Sequence, residues 1–268
     1  MFARGHGAEL NPGASSRSKL VDTLCLDKGE AMTTALVIGG TSGIGEATAR
    51  ELRRLGADSW VVGRDADRLA AALARLGDGV HGEALDAADA TAMRALGERI
   101  GPIDVLVLAA SGARGGGPFA ELSLDELRAG LDAKLLVQLA ALQALLPSLA
   151  TAASVVFVSA GSARAALPGT AGLAAINGAV QAVVGPLASE LAPVRVNAVS
   201  PGVIDTPWWN GQGDGVREAV FERFSAALPV GRVGRAEEVA ALIAAVATNG
   251  FVTGSVVDCA GGGQLARS

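Results

Sequence analysis

The stretch Ala35-Leu36-Val37-Ile38-Gly39-Gly40-Thr41-Ser42-Gly43-Ile44-Gly45 constrains this chain more than any other. An apolar run too short for a helix ends in glycines, and Glu46 to Leu55 then carry helical spacing and stop at Gly56. The order is strand, tight turn, helix. Glycines let the backbone bend and let a pyrophosphate come close, while the free amides and positive dipole end of the new helix attract its charge. The spacing Gly39-x-x-x-Gly43-x-Gly45 departs from Gly-x-Gly-x-x-Gly but uses the same mechanics. Glycine clusters also make ordinary turns; here strand, spacing and helix agree.

The pattern repeats downstream. Strands are expected at Ser59–Arg64, Gly79–Asp86, Asp104–Gly112, Ala153–Ser159, Val194–Val199 and Phe251–Ala260. Helices are expected at about 67–76, from Ala90, from Ser123 to about Leu149, and from Gly172 to Leu191. Strand and helix alternate without linker or repeat, which predicts one parallel sheet of about seven strands with helices on both faces. Residues 1–31 are polar and aperiodic and read as a flexible extension, leaving 32–268 as the folded domain.

Composition narrows the function. The chain has 268 residues, half of them hydrophobic, and a net charge of -5 without a basic cluster, which argues against nucleic acid as a partner. No membrane span is expected, because Pro147, Ser148 and Thr151 interrupt the longest apolar candidate. Cys25 and Cys259 are the only cysteines and His6 and His81 the only histidines, so neither a disulfide framework nor a metal site is expected, and a cytoplasmic, reducing location fits. In a doubly wound sheet the end of the second strand faces the adenosine ribose. Gly63 stands there and Arg64 follows: a guanidinium suits a 2′-phosphate, which favours NADP(H) and leaves NAD(H) possible, unless Arg64 pairs with Asp65 or Asp67.

Gly39-Gly40-Thr41-Ser42-Gly43-Ile44-Gly45 resembles the Thr-Gly-x-x-x-Gly-Ile-Gly motif of the short-chain dehydrogenase/reductase family, with Ile38 where that family has threonine. Ala188 to Gly202, Gly231-Arg232, Glu238-Val239-Ala240 and Thr253-Gly254 extend the resemblance in order along nearly everything after Ala35. It implies a Rossmann-like doubly wound α/β domain, a small-molecule substrate, and a homodimer or homotetramer. It implies a cofactor site made of Gly39, Thr41, Ser42, Gly43, Ile44 and Gly45, with Arg64, with Asp86 on the adenine, and with the Ala109-Ala110 backbone. It further implies that Pro201, Gly202, Ile204 and Thr206 hold the nicotinamide carboxamide. Asp86 can instead cap the helix that begins near Ala90.

The family's usual Asn-Ser-Tyr-Lys set is replaced throughout. The tyrosine falls on Leu173, the lysine on Asn177, the serine on Ala160 and the asparagine on Lys134. The Asn-Asn-Ala-Gly at the end of the fourth strand also becomes Leu108 to Ser111, losing two asparagines that tie strands together. No shift of alignment restores the acid, because the chain contains no tyrosine. Lysine and asparagine have exchanged places, and Lys134 is the only lysine after Lys28. Lys134 is therefore expected to face the nicotinamide crevice as proton donor or polarising charge, with Asn177 on the ribose and Ser159 or Ser111 orienting the substrate oxygen. Ser162 and Arg164 are secondary candidates.

Bland readings stand beside these. Lys134 can snorkel or pair with Asp132, Asn177 can tie loop to helix, and Ser159 can bond to backbone. Trp208-Trp209 can be an apolar lid or an oligomer contact. The expected activity is an atypical NADP(H)-dependent oxidoreductase acting on a carbonyl, alcohol or activated alkene. A catalytically silent NADP(H) sensor or scaffold, and a lyase or isomerase on the same fold, are the alternatives.

Overall fold

The computed structural model describes residues 33–112 and 114–265. The expectations for residues 1–31, including Cys25 and His6, lie outside them. β1 (Thr34–Ile38), β2 (Asp58–Gly63), β3 (Val80–Ala84), β4 (Ile103–Leu108), β5 (Leu149–Val158), β6 (Arg195–Pro201) and β9 (Val256–Cys259) form the main sheet. Its order is β3-β2-β1-β4-β5-β6-β9, and every pair is parallel. The chain leaves β1 in one direction toward β3 and in the other toward β9. Between β1 and β4 the winding reverses, opening a crevice beyond their carboxyl ends, where ligands of such sheets bind.

Both faces are dry. Along β1, Leu36 and Ile38 point to one side and Ala35 and Val37 to the other, all at most 1% exposed. Leu36, Ile38, Leu106 and Phe157 pack with Met93 and Leu96 of α3 (Ala90–Ile100) and with Leu142 and Leu145 of α5 (Val137–Leu145). Ala35, Val37, Val107 and Val156 pack with Ala49 and Leu52 of α1 (Gly43–Arg54) and with Val239 and Ile243 of α9 (Ala236–Thr248). Burying each such side chain stabilises the fold by roughly 1.5–3 kcal/mol.

Several boundaries differ from the sequence reading. β5 begins at Leu149, before the expected Ala153, and β4 ends at Leu108, before the expected Gly112. β9 begins only at Val256: Phe251 is fully exposed, and its amide donates to Asn249 Oδ1 in a turn. The helix expected from Ser123 to Leu149 is α4 (Leu124–Leu131), a π turn over Asp132–Leu136, and then α5, closed by a 3₁₀ turn at Leu146–Ser148. The next is α6 (Ala171–Ala182) followed by α7 (Val184–Glu190). The remaining helices are α2 (Ala66–Leu76) and α8 (Val216–Ala227), and β7 (Ile204–Asp205) with β8 (Gly234–Arg235) makes a small second ladder.

The expectation that no stretch is long enough to span a bilayer is corrected. Leu124–Ser148 and Ala171–Glu190 both pass by length and composition, each at a mean hydropathy of 1.4. Pro147 falls in the last turn of the first and interrupts nothing. Their apolar character has a local cause, since Leu142, Leu145 and Val180 lie in the core beneath the sheet.

Candidate active site

The crevice opens into a cleft of about 2730 Å³. That exceeds the roughly 300–1,000 Å³ of a drug-sized site, so a dinucleotide and a second molecule fit together. At one end lies the glycine turn. The Gly39 amide donates to the Val62 carbonyl at 2.9 Å, hooking the turn onto β2. A Cβ on Gly45 would stand 2.1 Å from the Gly39 carbonyl oxygen, and one on Gly39, at φ +82, would stand 2.7 Å from the Ala110 amide nitrogen. Thr206 closes over the turn, its Cβ 3.3 Å from where a Gly43 Cβ would be. The structure thus brings the phosphate turn, Ala109-Ala110 and the Pro201–Thr206 stretch into one wall, with the free amides of α1 facing the cleft.

Arg64 is exposed at the end of β2, lines the cleft and makes no ion pair among the described residues. Asp65, its proposed partner, instead caps α2 through the Arg68 amide. A Cβ on Gly63 would stand 2.4 Å from the Thr41 methyl, so residue 63 has no room for a carboxylate side chain unless Thr41 moves. Asp86 also lines the cleft, accepting from the Ala88 amide. The cap of α3 is Asp89, which accepts from the Thr91 and Ala92 amides, and so the capping alternative for Asp86 is corrected. Glu46, an acid in the first turn of α1, is neutralised by Arg50 and Arg75, an arrangement the sequence reading missed.

At the other end, the π turn carries Lys134 beneath the cleft. Its Nζ donates to the Ser159 carbonyl at 3.2 Å, and the residue is 6% exposed. It neither snorkels nor pairs with Asp132. Burial alone pushes the ammonium down from 10.5 to about 8. Ser159 Oγ donates to the Asn177 carbonyl and accepts from Gln181, both at 3.1 Å. Asn177 Nδ2 donates to the Leu173 carbonyl at 2.9 Å and to Ser162 Oγ at 3.1 Å. The three expected catalytic residues therefore meet in one hydrogen-bonded chain. Within it the Ser159 hydroxyl and the Asn177 amide NH₂ serve internal bonds, as the backbone and loop-tying readings expected.

Ser111 is exposed at the cleft edge, and the Arg164 guanidinium is ion-paired with Asp258. Ile204 is buried, with its carbonyl accepting from the Trp209 indole at 2.8 Å. Gln138 went unnoticed in the sequence. Its Nε2 donates to the Ala110 carbonyl at 2.9 Å and reaches the Val158 carbonyl at 3.5 Å, so it ties the ends of β4 and β5 where the two asparagines are lost. Its spacing from Lys134, four residues along an apolar helix, was the available signal, and Gln181 stands in the same relation to Asn177.

Two observations test whether these residues fit a dinucleotide. The glycine turn has the close approach such a ligand needs, in space that any Cβ would fill. Asn177 Oδ1 is buried with no hydrogen-bond partner, an acceptor suited to a ribose hydroxyl. The residues fit.

A glycine turn at the switch point of a parallel sheet, facing a cleft with a buried amine, defines a dinucleotide-binding α/β protein. Comparison with known proteins makes this narrower. Residues 39–264 match the family model described as enoyl-(acyl carrier protein) reductase. A cis-4-hydroxycyclohexanecarboxylate dehydrogenase of Sinomonas cyclohexanicum is 35% identical over 87% of this chain and 98% of its own. A small-chain dehydrogenase solved in complex with NADPH superposes with a TM-score of 0.75 at 29% identity, over 88% of this chain and all of the other. A short-chain dehydrogenase/reductase family protein superposes at 0.76 with 30% identity, over 87% and 98%. The chain belongs to the short-chain dehydrogenase/reductase family.

Proposed function

We propose that this chain is an NADP(H)-dependent oxidoreductase for a small carbonyl compound, alcohol or activated alkene, with Lys134 in place of the missing tyrosine. When bound, the cofactor supplies or accepts the hydride. The chain's own work is the rest. Gly39, Gly43, Gly45 and the α1 amides hold the pyrophosphate, Arg64 takes the 2′-phosphate, and Asn177 Oδ1 accepts from the ribose. Lys134 Nζ carries the proton that the substrate oxygen or carbon gains on reduction and loses on oxidation. The carrying observation is Lys134 itself: a buried amine in the cleft wall, with no carboxylate partner among the described residues, in a chain without tyrosine. An acid near 8 matches proton transfer around neutral pH far better than an ordinary lysine does.

A second reading has its own support. Leu173 occupies the tyrosine position, and the Ser159 hydroxyl is committed to the Asn177 carbonyl, features that suit an NADP(H) sensor without turnover. NADPH oxidation followed at 340 nm across a panel of carbonyl and enoyl compounds separates the two. Turnover that is lost in Lys134→Ala at unchanged NADPH affinity is expected. Tight NADPH binding with no turnover on any compound would leave the sensor reading standing.

A further inference from the structure

α8 lies over the part of the cleft that the dinucleotide wall leaves free. Val220, Arg223, Phe224 and Ala227 follow the spacing of one helical face, and all line the cleft. The helix is fixed in place: Phe221 packs edge-on against Trp209 at 5.6 Å, and Arg217 pairs with Asp205. Arg223 is the one charged side chain on the cleft face. The cleft's neighbouring cations are already satisfied, Arg164 by Asp258 and Arg114 by Glu126. Arg223 is exposed, has no ion-pair partner among the described residues, and shares the lining of the cleft with the apolar Leu167, Leu173, Trp208 and Leu228.

We propose that Arg223 receives a carboxylate on the substrate, so that the substrate class is an apolar carbonyl compound or alcohol bearing a carboxylate remote from the reacting carbon. A planar guanidinium matches the two carboxylate oxygens through parallel hydrogen bonds, and the surrounding leucines and tryptophan take the apolar body. In the free cleft the Arg223 donors are hydrated, and a neutral ligand that displaced that water would leave them unmet, whereas a carboxylate would replace it. Arg223 is then a specificity residue on α8, separate from the proton carried at Lys134.

This assignment rests on the oxidoreductase reading, and its test reads binding, so the two can fail separately. Calorimetry on the full chain would compare 4-phenylbutyrate with 4-phenylbutanamide, with and without saturating NADPH. The expected result is binding of the carboxylate roughly fivefold or more tighter than the amide. That preference should be lost in Arg223→Gln and only partly kept in Arg223→Lys, which retains the charge but not the planar fork, at unchanged NADPH affinity. Equal affinity for the two probes, no carboxylate binding at millimolar concentration, or a preference that survives Arg223→Gln would overturn it. A parallel loss of NADPH affinity in Arg223→Gln would also overturn it, by assigning the guanidinium to a cofactor phosphate. Failure of NADPH itself to bind would instead strike the oxidoreductase reading, and the probe comparison on the free chain would still decide the anion site.

Discussion

The buried ammonium of Lys134 has a cost that can be measured without knowing the substrate. Lowering its acid constant from 10.5 in the unfolded chain to about 8 in the fold corresponds to about 3 kcal/mol of native-state destabilisation. The sign follows from proton counts. Below about pH 8 both states hold the proton and the penalty is fully present; between about 8 and 10.5 the native state releases it first, so stability rises with pH. Lys134→Met keeps an unbranched side chain of similar length, removes the charge, and gives up the 3.2 Å charge-assisted bond to the Ser159 carbonyl, worth about 1.5–3 kcal/mol. The variant is therefore expected to be about 1 kcal/mol more stable than the parent at pH 7. The gap should close near pH 9.5, where the parent's penalty has fallen to little more than 1 kcal/mol. Urea unfolding at both pH values, at fixed protein and salt concentration and without cofactor, measures the difference, in which other titrating groups cancel. A methionine variant less stable than the parent at pH 7, or a gap that does not change with pH, would refute the desolvated-amine account. Together with loss of turnover in Lys134→Ala, a gain in stability would mark the lysine as held for function at the expense of the fold.

The cofactor end yields two further predictions. Gly45→Ala places a methyl 2.1 Å from the Gly39 carbonyl, a backbone atom that cannot swing aside, so the turn must open. NADPH affinity should fall more than about tenfold while the fold survives a strain of roughly 1–3 kcal/mol, as read by calorimetry and thermal melting; an unchanged titration would remove the turn from the binding site. On the proposed role of Arg64, Arg64→Ala should weaken NADPH and leave NADH untouched, since its guanidinium has no ion pair to release among the described residues and would meet only the 2′-phosphate. A preference between the two cofactors that does not change, measured by nicotinamide fluorescence, would reassign Arg64 to the solvated surface.

How much of this was legible in the sequence depended on what each element buries. β1 read cleanly because both faces are covered and its apolar run ends in glycine, whereas β4 was read too long because Ala109 and Ala110 continue its apolar run. β5 was cut short at its start because Thr151 and Ala152 are exposed there and directly follow Pro147-Ser148, which reads as a break. The β7 and β8 ladder was invisible because two-residue strands carry no period. The π turn was hidden for another reason: Asp132–Leu136 has the composition of ordinary helix, and only the tertiary demand that Lys134 and Gln138 reach the ends of β4 and β5 picks out the extra residue per turn.

At the site the same distinction holds. A motif comparison asks which residue type stands where, and by that measure the reacting end offers no tyrosine. The cleft asks which polar groups are desolvated, and there the inventory is short: Lys134 Nζ on one carbonyl, Gln138 bridging two strands, and Asn177 with an acceptor unmet. Gln138 reaches from the helix to the ends of both strands, so those ends are bound to a polar side chain. The glycine turn and Thr206 still enclose the space for a pyrophosphate. An ammonium buried in the cleft wall at a cost of about 3 kcal/mol is a feature that a chain with no use for the cleft would not need, and the methionine variant measures that cost.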